Sequence, residues 1–246
     1  MKKRNLLTLF LALTASGSLS AKEPAATIDP AAKAILEESI KATGGREAMA
    51  RIKSRQITGK MTMPAQGMKM TLIMKQKAPA KTFTKMEIPE VMTIEQGYDG
   101  QRAWSKDSIQ GLRELAGAEL EQARESAAMF PELLIMDNLT SAKLLKEVEE
   151  NGRTLKVIEV TSKDASDKTL YFDKATKLLA KMTSSFATGP DGAMAGTVSV
   201  SDYKEKDGVK YAAKVEVSVM GQEMQMTFSD VKHNIEMDDT IFAMPK

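Results

Sequence analysis

The chain has 246 residues, with 35 Lys and Arg, 33 Asp and Glu, one His and no Cys. Without cysteine no disulfide can staple the fold and no lipid can be attached at a thiol, so stability must come from a packed core. The formal charge of +2 comes from the N-terminus: residues 1–21 hold three basic side chains and no acid, and the chain from Lys22 onward has 32 Lys and Arg against 33 Asp and Glu. It therefore lacks the basic surplus that binding to nucleic-acid phosphates requires, and no nucleic-acid partner is expected.

Lys2, Lys3 and Arg4 precede an apolar run over 6–13, broken only by Thr8, and a tail of mostly small residues over 16–21. This is the pattern of a secretory leader, with cleavage expected near Ser20 or Ala21. The run falls short of the roughly 17–25 apolar residues that cross a bilayer core. The expectation is an exported, soluble, unlipidated protein without stable membrane insertion. Residues 22–28 read as a flexible lead-in, and 29–246 as a single domain, because no Pro/Ser-rich linker divides them.

Asp29 followed by Pro30 predicts a helix start, Ile35, Leu36 and Ile40 supply an apolar stripe, and Gly44 and Gly45 end it. A second short helix over 46–52 places Met49 and Ile52 together. From Gln56 the period drops to two. Ile57, Met61 and Met63, then Met68, Met70, Leu72 and Met74, alternate with polar residues around a turn at 64–67, which predicts a hairpin with one apolar face. Strands are expected over 81–88, 92–98 and 101–105, the last two joined at Asp99 and Gly100.

Over 116–138 the helical period returns through Leu120, Ala123, Ala127, Phe130 and Leu134, with Pro131 breaking or kinking the helix. A second group of strands is expected over 143–149, 154–161, 168–173, 178–186, 197–204, 209–220 and 223–233, with tight turns at Asn151-Gly152 and Asp207-Gly208. Lys60, Lys69, Lys75, Glu95, Lys181, Lys214 and Glu216 fall out of phase with their apolar neighbours, so one face of the sheet can stay in water. The other face needs cover, and the helices are the only material for it. The expected fold is α+β, mainly antiparallel β: a curved, unclosed half-barrel of about eleven strands with helices over its concave face.

Methionine is over-used, with 18 Met against seven Phe, four Tyr and one Trp. Unbranched thioethers make adaptable walls for a ligand of variable shape, and they equally fill gaps in an ordinary core. Both readings stand for the apolar face formed by Met61, Met63, Met70, Leu72, Met74, Met92, Ile94, Met224, Met226 and Phe228. Trp104 and Tyr98, flanking the Asp99-Gly100 turn, suit either the rim of an apolar opening or a core anchor. The 116–138 helix suits either a lid or a fixed plug.

His233 is the single histidine, and neither a nucleophile elbow nor a His-Glu-x-x-His zinc motif accompanies it. A structural or surface role is expected for it. Asp238/Asp239 and Asp164/Asp167 lack calcium-loop spacing and read as loop or cap residues. No catalytic residue, cofactor or metal site is expected, and the protein is read as not an enzyme.

Five segments carry a resemblance: 43–54 (TGGREAMARIKS), 96–104 (QGYDGQRAW), 170–179 (LYFDKATKLL), 201–210 (SDYKEKDGVK) and 238–245 (DDTIFAMP). In their order and behind such a leader, they resemble the outer-membrane lipoprotein-sorting, LolA/LolB-like group over nearly the whole mature chain. The resemblance implies a half-open barrel of about eleven strands. It implies a periplasmic carrier whose concave face shields acyl chains of lipids or lipoproteins in transit to the outer membrane, between membrane-bound donor and acceptor proteins. An inner-face arginine tunes opening in the family's carriers; the motifs assign that role to neither Arg51 nor Arg55. The cavity expected for this chain is lined by the ten apolar residues above, with Trp104. The alternative is an envelope sensor or interaction module of the same fold that carries no ligand.

Overall fold

The computed structural model describes residues 27–163, 167–187 and 193–246. The leader, most of the lead-in and Asp164 lie outside the described residues. Thr27 and Ile28, expected in the flexible lead-in, are pinned: Ile28 forms a parallel bridge with Ala142, whose N–H donates to the Thr27 carbonyl at 3.2 Å.

Helix α1 spans Pro30–Thr43 and α2 spans Gly45–Arg51. Asp29 caps α1 by accepting from the Ala31 N–H, and Pro30 sits in the first turn where no N–H is needed. Gly44, at φ 133°, makes the corner between the helices. A side chain there would meet the Gly208 carbonyl oxygen at 2.3 Å, so this glycine lets the helix pair sit directly on the sheet.

Fourteen antiparallel strands follow: β1 Ser54–Met63, β2 Met68–Lys77, β3 Lys81–Ile88, β4 Met92–Tyr98, β5 Ala103–Asp107, β6 Gly111–Leu115, β7 Leu139–Leu144, β8 Val148–Glu150, β9 Arg153–Ser162, β10 Asp167–Asp173, β11 Leu179–Ala187, β12 Ala193–Lys206, β13 Val209–Val219 and β14 Gln222–His233. Their order is β6-β5-β4-β3-β2-β1-β14-β13-β12-β11-β10-β9-β7, with β8 paired to β9. The sheet does not close, which gives the curved, unclosed half-barrel expected.

Two strands lie beyond the twelve segments read from the sequence, each for a local reason. Strand β6 carries Leu112, Arg113 and Glu114 without a clean alternation, so pattern alone does not mark it. The strand expected over 143–149 begins earlier and is interrupted: β7 and β8 lie along the same edge of β9, joined by a bend where the Leu145 N–H donates to the Val157 carbonyl.

The order explains where the helices lie. Strands β6 and β7 are the two edges, so the chain must cross the mouth of the half-barrel between them, and α3 Ala118–Ser126 and α4 Pro131–Asn138 make that crossing. Pro131 starts the second helix, as a residue without a donor should. Against the sheet, α1 packs Ala32, Ile35 and Leu36 on Ile158, Val160, Leu170 and Phe172, while α4 contributes Ile135 and Met136. Ile40, with Met49 and Ile52 from the α2 region, meets Val209, and Phe130 and Leu133 pack on that group. Leu120 and Ala123 of α3 pack on Tyr98, Ala103 and Leu115 at the other edge.

Candidate functional site: the concave face and its cavity

Register assigns the inward side chains. On β1 these are Arg55, Ile57, Met61 and Met63; opposite them stand Gln76, Met74, Met70 and Met68 on β2. Leu72 and Met86 continue the row onto β3, and Ile94 pairs with Met86 on β4. In the other direction Met226 and Phe228 face Met61 and Gly59, and Val215 of β13 faces Met226. All share one face because side chains alternate along each strand.

Along that face, two regions differ. Met61, Met63, Met70, Leu72 and Met86 are buried at 2–6% exposure and pack on one another, with Ile94, Met224, Met226 and Phe228 partly buried against them. Met92 is half-buried beside them, paired with Ile88. Beyond Phe228 the face opens into a cavity of about 350 Å³ between the sheet and α1 and α4. Leu36, Ile57, Phe130, Ile135, Leu170, Phe172, Leu179, Met182, Val200, Val215 and Phe228 supply its apolar wall.

Of the eleven residues expected to line the cavity, Phe228 borders this one, and Met74 borders a smaller, more polar space of about 130 Å³ beneath α3. Met61, Met63, Met70, Leu72, Ile94, Met224 and Met226 form the packed cluster next door, and Met92 lies beside it, paired with Ile88. Trp104 needs a correction. It pairs with Gly97, which pairs with Phe83, and this row lies on the face opposite the methionines. There the Trp104 ring is 6.1 Å from that of Phe83, and its Nε1–H donates to the Phe242 carbonyl at 2.9 Å. A side chain at position 97 would meet the indole at 2.3 Å, so glycine lets the ring lie flat on the strand. Trp104 is a core anchor under the C-terminal segment, and Tyr98 is buried in the α3 contact.

Between the two spaces stands a strut that the sequence reading did not single out. Arg55 donates from Nε and Nη2 to the Gln76 side-chain oxygen at 3.1 and 2.6 Å, and from Nη2 to the Met129 carbonyl at 2.6 Å. Gln76, 2% exposed, donates to the carbonyls of Ser126 and Ala128. Carbonyls at the end of α3 have no helical partner, and these donors from the sheet floor satisfy them. The Arg55 guanidinium also sits 5.5 Å from the centre of the Phe130 ring. The available signal is a charged and a polar residue, in register, on the apolar phase of adjacent strands.

Burial brings the Arg55 pKa down to about 10, with Glu132 acting in the opposite direction. Glu132, in the first turn of α4 and on the same cavity, has its carboxyl pushed up by burial, while Arg55 opposes this. Tyr203 also borders the cavity; its hydroxyl donates to the Leu179 carbonyl at 2.9 Å, and burial raises its pKa. Ser39 and Thr43 of α1, with Lys210 and Tyr211, complete the polar part of the wall. Val200 and Tyr203 both reach the cavity although they are three positions apart, a spacing that regular alternation would send to opposite faces. Asp202 between them has φ 52°, a left-handed conformation that resets the alternation of β12.

The remaining polar groups are accounted for structurally. The His233 Nδ1–H donates to the Asp207 carboxylate at 3.1 Å, and burial lowers the ring's pKa while Asp207 opposes this. Asp238 caps a 3₁₀ turn by accepting from Thr240 N–H, and Asp239 bonds Lys77 and Lys81 at 2.6 and 2.7 Å, which draws its pKa down to about 2.

No family model matches this chain, and no curated protein is similar to it. Solved structures are. A domain described as an outer membrane lipoprotein-sorting protein from Vibrio parahaemolyticus superposes with a TM-score of 0.56 at 15% identity, over 84% of this chain and 97% of that one. A LolA superfamily protein from Nitrosomonas europaea gives 0.56 at 14% identity, covering 86% and 97%. The chain has the LolA fold. A DUF1329 family protein from Desulfovibrio piger shares it, with a TM-score of 0.59 at 13% identity over 86% and 97%. At such identities the likeness concerns the backbone architecture, so function is argued from the cavity.

Proposed function

We propose that this LolA-fold protein is a non-enzymatic periplasmic carrier that shields acyl chains of lipids or lipoproteins on their way to the outer membrane. The observation that carries the reading is the apolar cavity of about 350 Å³ left unfilled between the sheet and α1 and α4. It lies within the range of ligand pockets, roughly 300–1,000 Å³. Each methylene moved from water into it contributes about 0.8 kcal/mol, so one chain is enough to drive uptake.

The methionine cluster extends this site. Phe228 touches both regions, and a chain longer than the cavity would run from it along the sheet between Met61, Met70, Met224 and Met226. Thioether side chains yield by rotation where branched ones would resist. The Arg55–Gln76 strut would hold the α3–α4 linker over the mouth until a ligand or partner displaces it. Residues 1–21 would direct export and be removed, leaving 29–246 as one domain behind a short lead-in. Among the described residues no helix is long and apolar enough to cross a membrane. Loading and unloading would take place at membrane-bound donor and acceptor proteins.

The close packing of the methionine cluster favours a second reading, an envelope sensor or interaction module. Native mass spectrometry of protein released gently from the periplasm separates them. Co-purifying lipid mass is the expected result. A protein that is always ligand-free and also refuses added lipid would favour the module.

A further inference from the structure

The cavity is apolar along most of its wall but carries an excess of positive groups. Arg55 and Lys210 border it, against the one carboxyl of Glu132. Neither cation has an ion-pair partner among the described residues: the Arg55 contacts are the neutral Gln76, the Met129 carbonyl and the Phe130 ring. Its Nη1 makes no hydrogen bond to a described residue, and Glu132 acts on it only through space. A largely desolvated guanidinium without an anion is costly, and its Nη1 keeps two N–H donors to offer an acid group. Tyr203 offers no competing anion, since its hydroxyl stays protonated and already donates to Leu179.

Building on the carrier reading, we infer that the ligand is an anionic amphiphile, an acyl chain ending in a carboxylate or phosphate, whose acid group pairs with Arg55 and Lys210 while its chain fills the apolar cavity. The charged groups facing that position are Arg55 from β1, Glu132 from α4 and Lys210 from β13, with His233 of β14 paired in register with Arg55 and feeling its charge. Glu132 is the group the acid must outcompete. Burial already favours its protonated form, so it is the one most readily discharged when the ligand enters.

The test is competitive uptake by the full mature chain, read by native mass spectrometry at neutral pH. Equimolar oleate and oleyl alcohol have the same chain and differ in charge; 1-oleoyl lysophosphatidate and 1-monoolein make the corresponding phosphate pair. A charge-assisted pair in such a site predicts an excess of acid over neutral complex of about tenfold or more in at least one pair. Arg55→Gln and Lys210→Met should each bring that ratio towards one; because it is a ratio within one sample, partial loss of folded protein does not distort it. If Arg55→Gln fails to fold, Lys210→Met still reads the effect. Equal uptake of acid and neutral partners by the unaltered protein, or an acid preference that survives both substitutions, overturns this inference and leaves the carrier standing. Uptake of none of the four overturns both.

Discussion

The two halves of the concave face are made from the same sheet, with similar alternation, and end in different states. Around β1–β4 and β14 the face is closed by its own side chains, five of which are at most 6% exposed. Around β10–β13 it is roofed by α1 and α4, and a space of about 350 Å³ remains beneath them. Flexible unbranched side chains collapse onto one another when nothing holds them apart, whereas helices propped on a strut cannot follow. Beside the open half, Arg55 and Gln76 hold the α3–α4 linker from the sheet floor, through polar contacts outside the apolar packing itself.

Substitutions can break this contrast. Met70→Asp places an unpaired charge in the closed half and should cost roughly 3–5 kcal/mol of stability, read by urea unfolding. Val215→Asp faces the open half, where water can reach the carboxylate, and should cost distinctly less while ending acyl uptake. Equal costs would mean that the two halves are packed alike. Leu72→Ala, also in the closed half, should lose about 2–5 kcal/mol through the void it leaves.

Smaller effects sharpen the boundary of the site. Trp104→Phe orphans the Phe242 carbonyl on the opposite face and should cost about 1–2 kcal/mol without altering lipid uptake. A change in uptake would return Trp104 to the ligand site. Last, burial holds the His233 pKa below its unfolded value, so between the two values the unfolded chain binds more protons. Stability contributed by neutral His233 is complete above about pH 6.5 and is lost as pH falls towards the folded pKa. His233→Gln should flatten that part of a melting-temperature profile, and an unchanged profile would remove His233 as the cause.

Local chemistry was readable where one element decides it. Asp29-Pro30 opened α1, Pro131 divided α3 from α4, and the alternation of methionines marked the β1–β2 hairpin. The face on which Trp104 lies was not readable, because Tyr98 and Trp104 flank one turn yet their strands present them to opposite sides. Nor was the cavity wall on β12, where the left-handed Asp202 shifts the phase beyond it.

From its own residues the chain determines an antiparallel sheet with one apolar face, rich in methionine, and two pairs of helices to cover it. Periodicity is a property of neighbours a few residues apart, and it specifies which side chains share a face. Which part of that face fills itself and which stays open was settled only in three dimensions. The edges β6 and β7 force α3 and α4 across the mouth, and Arg55 and Gln76 meet carbonyls some fifty to seventy-four residues away to hold that crossing up. An empty volume depends on how distant elements are spaced, and no local pattern records it.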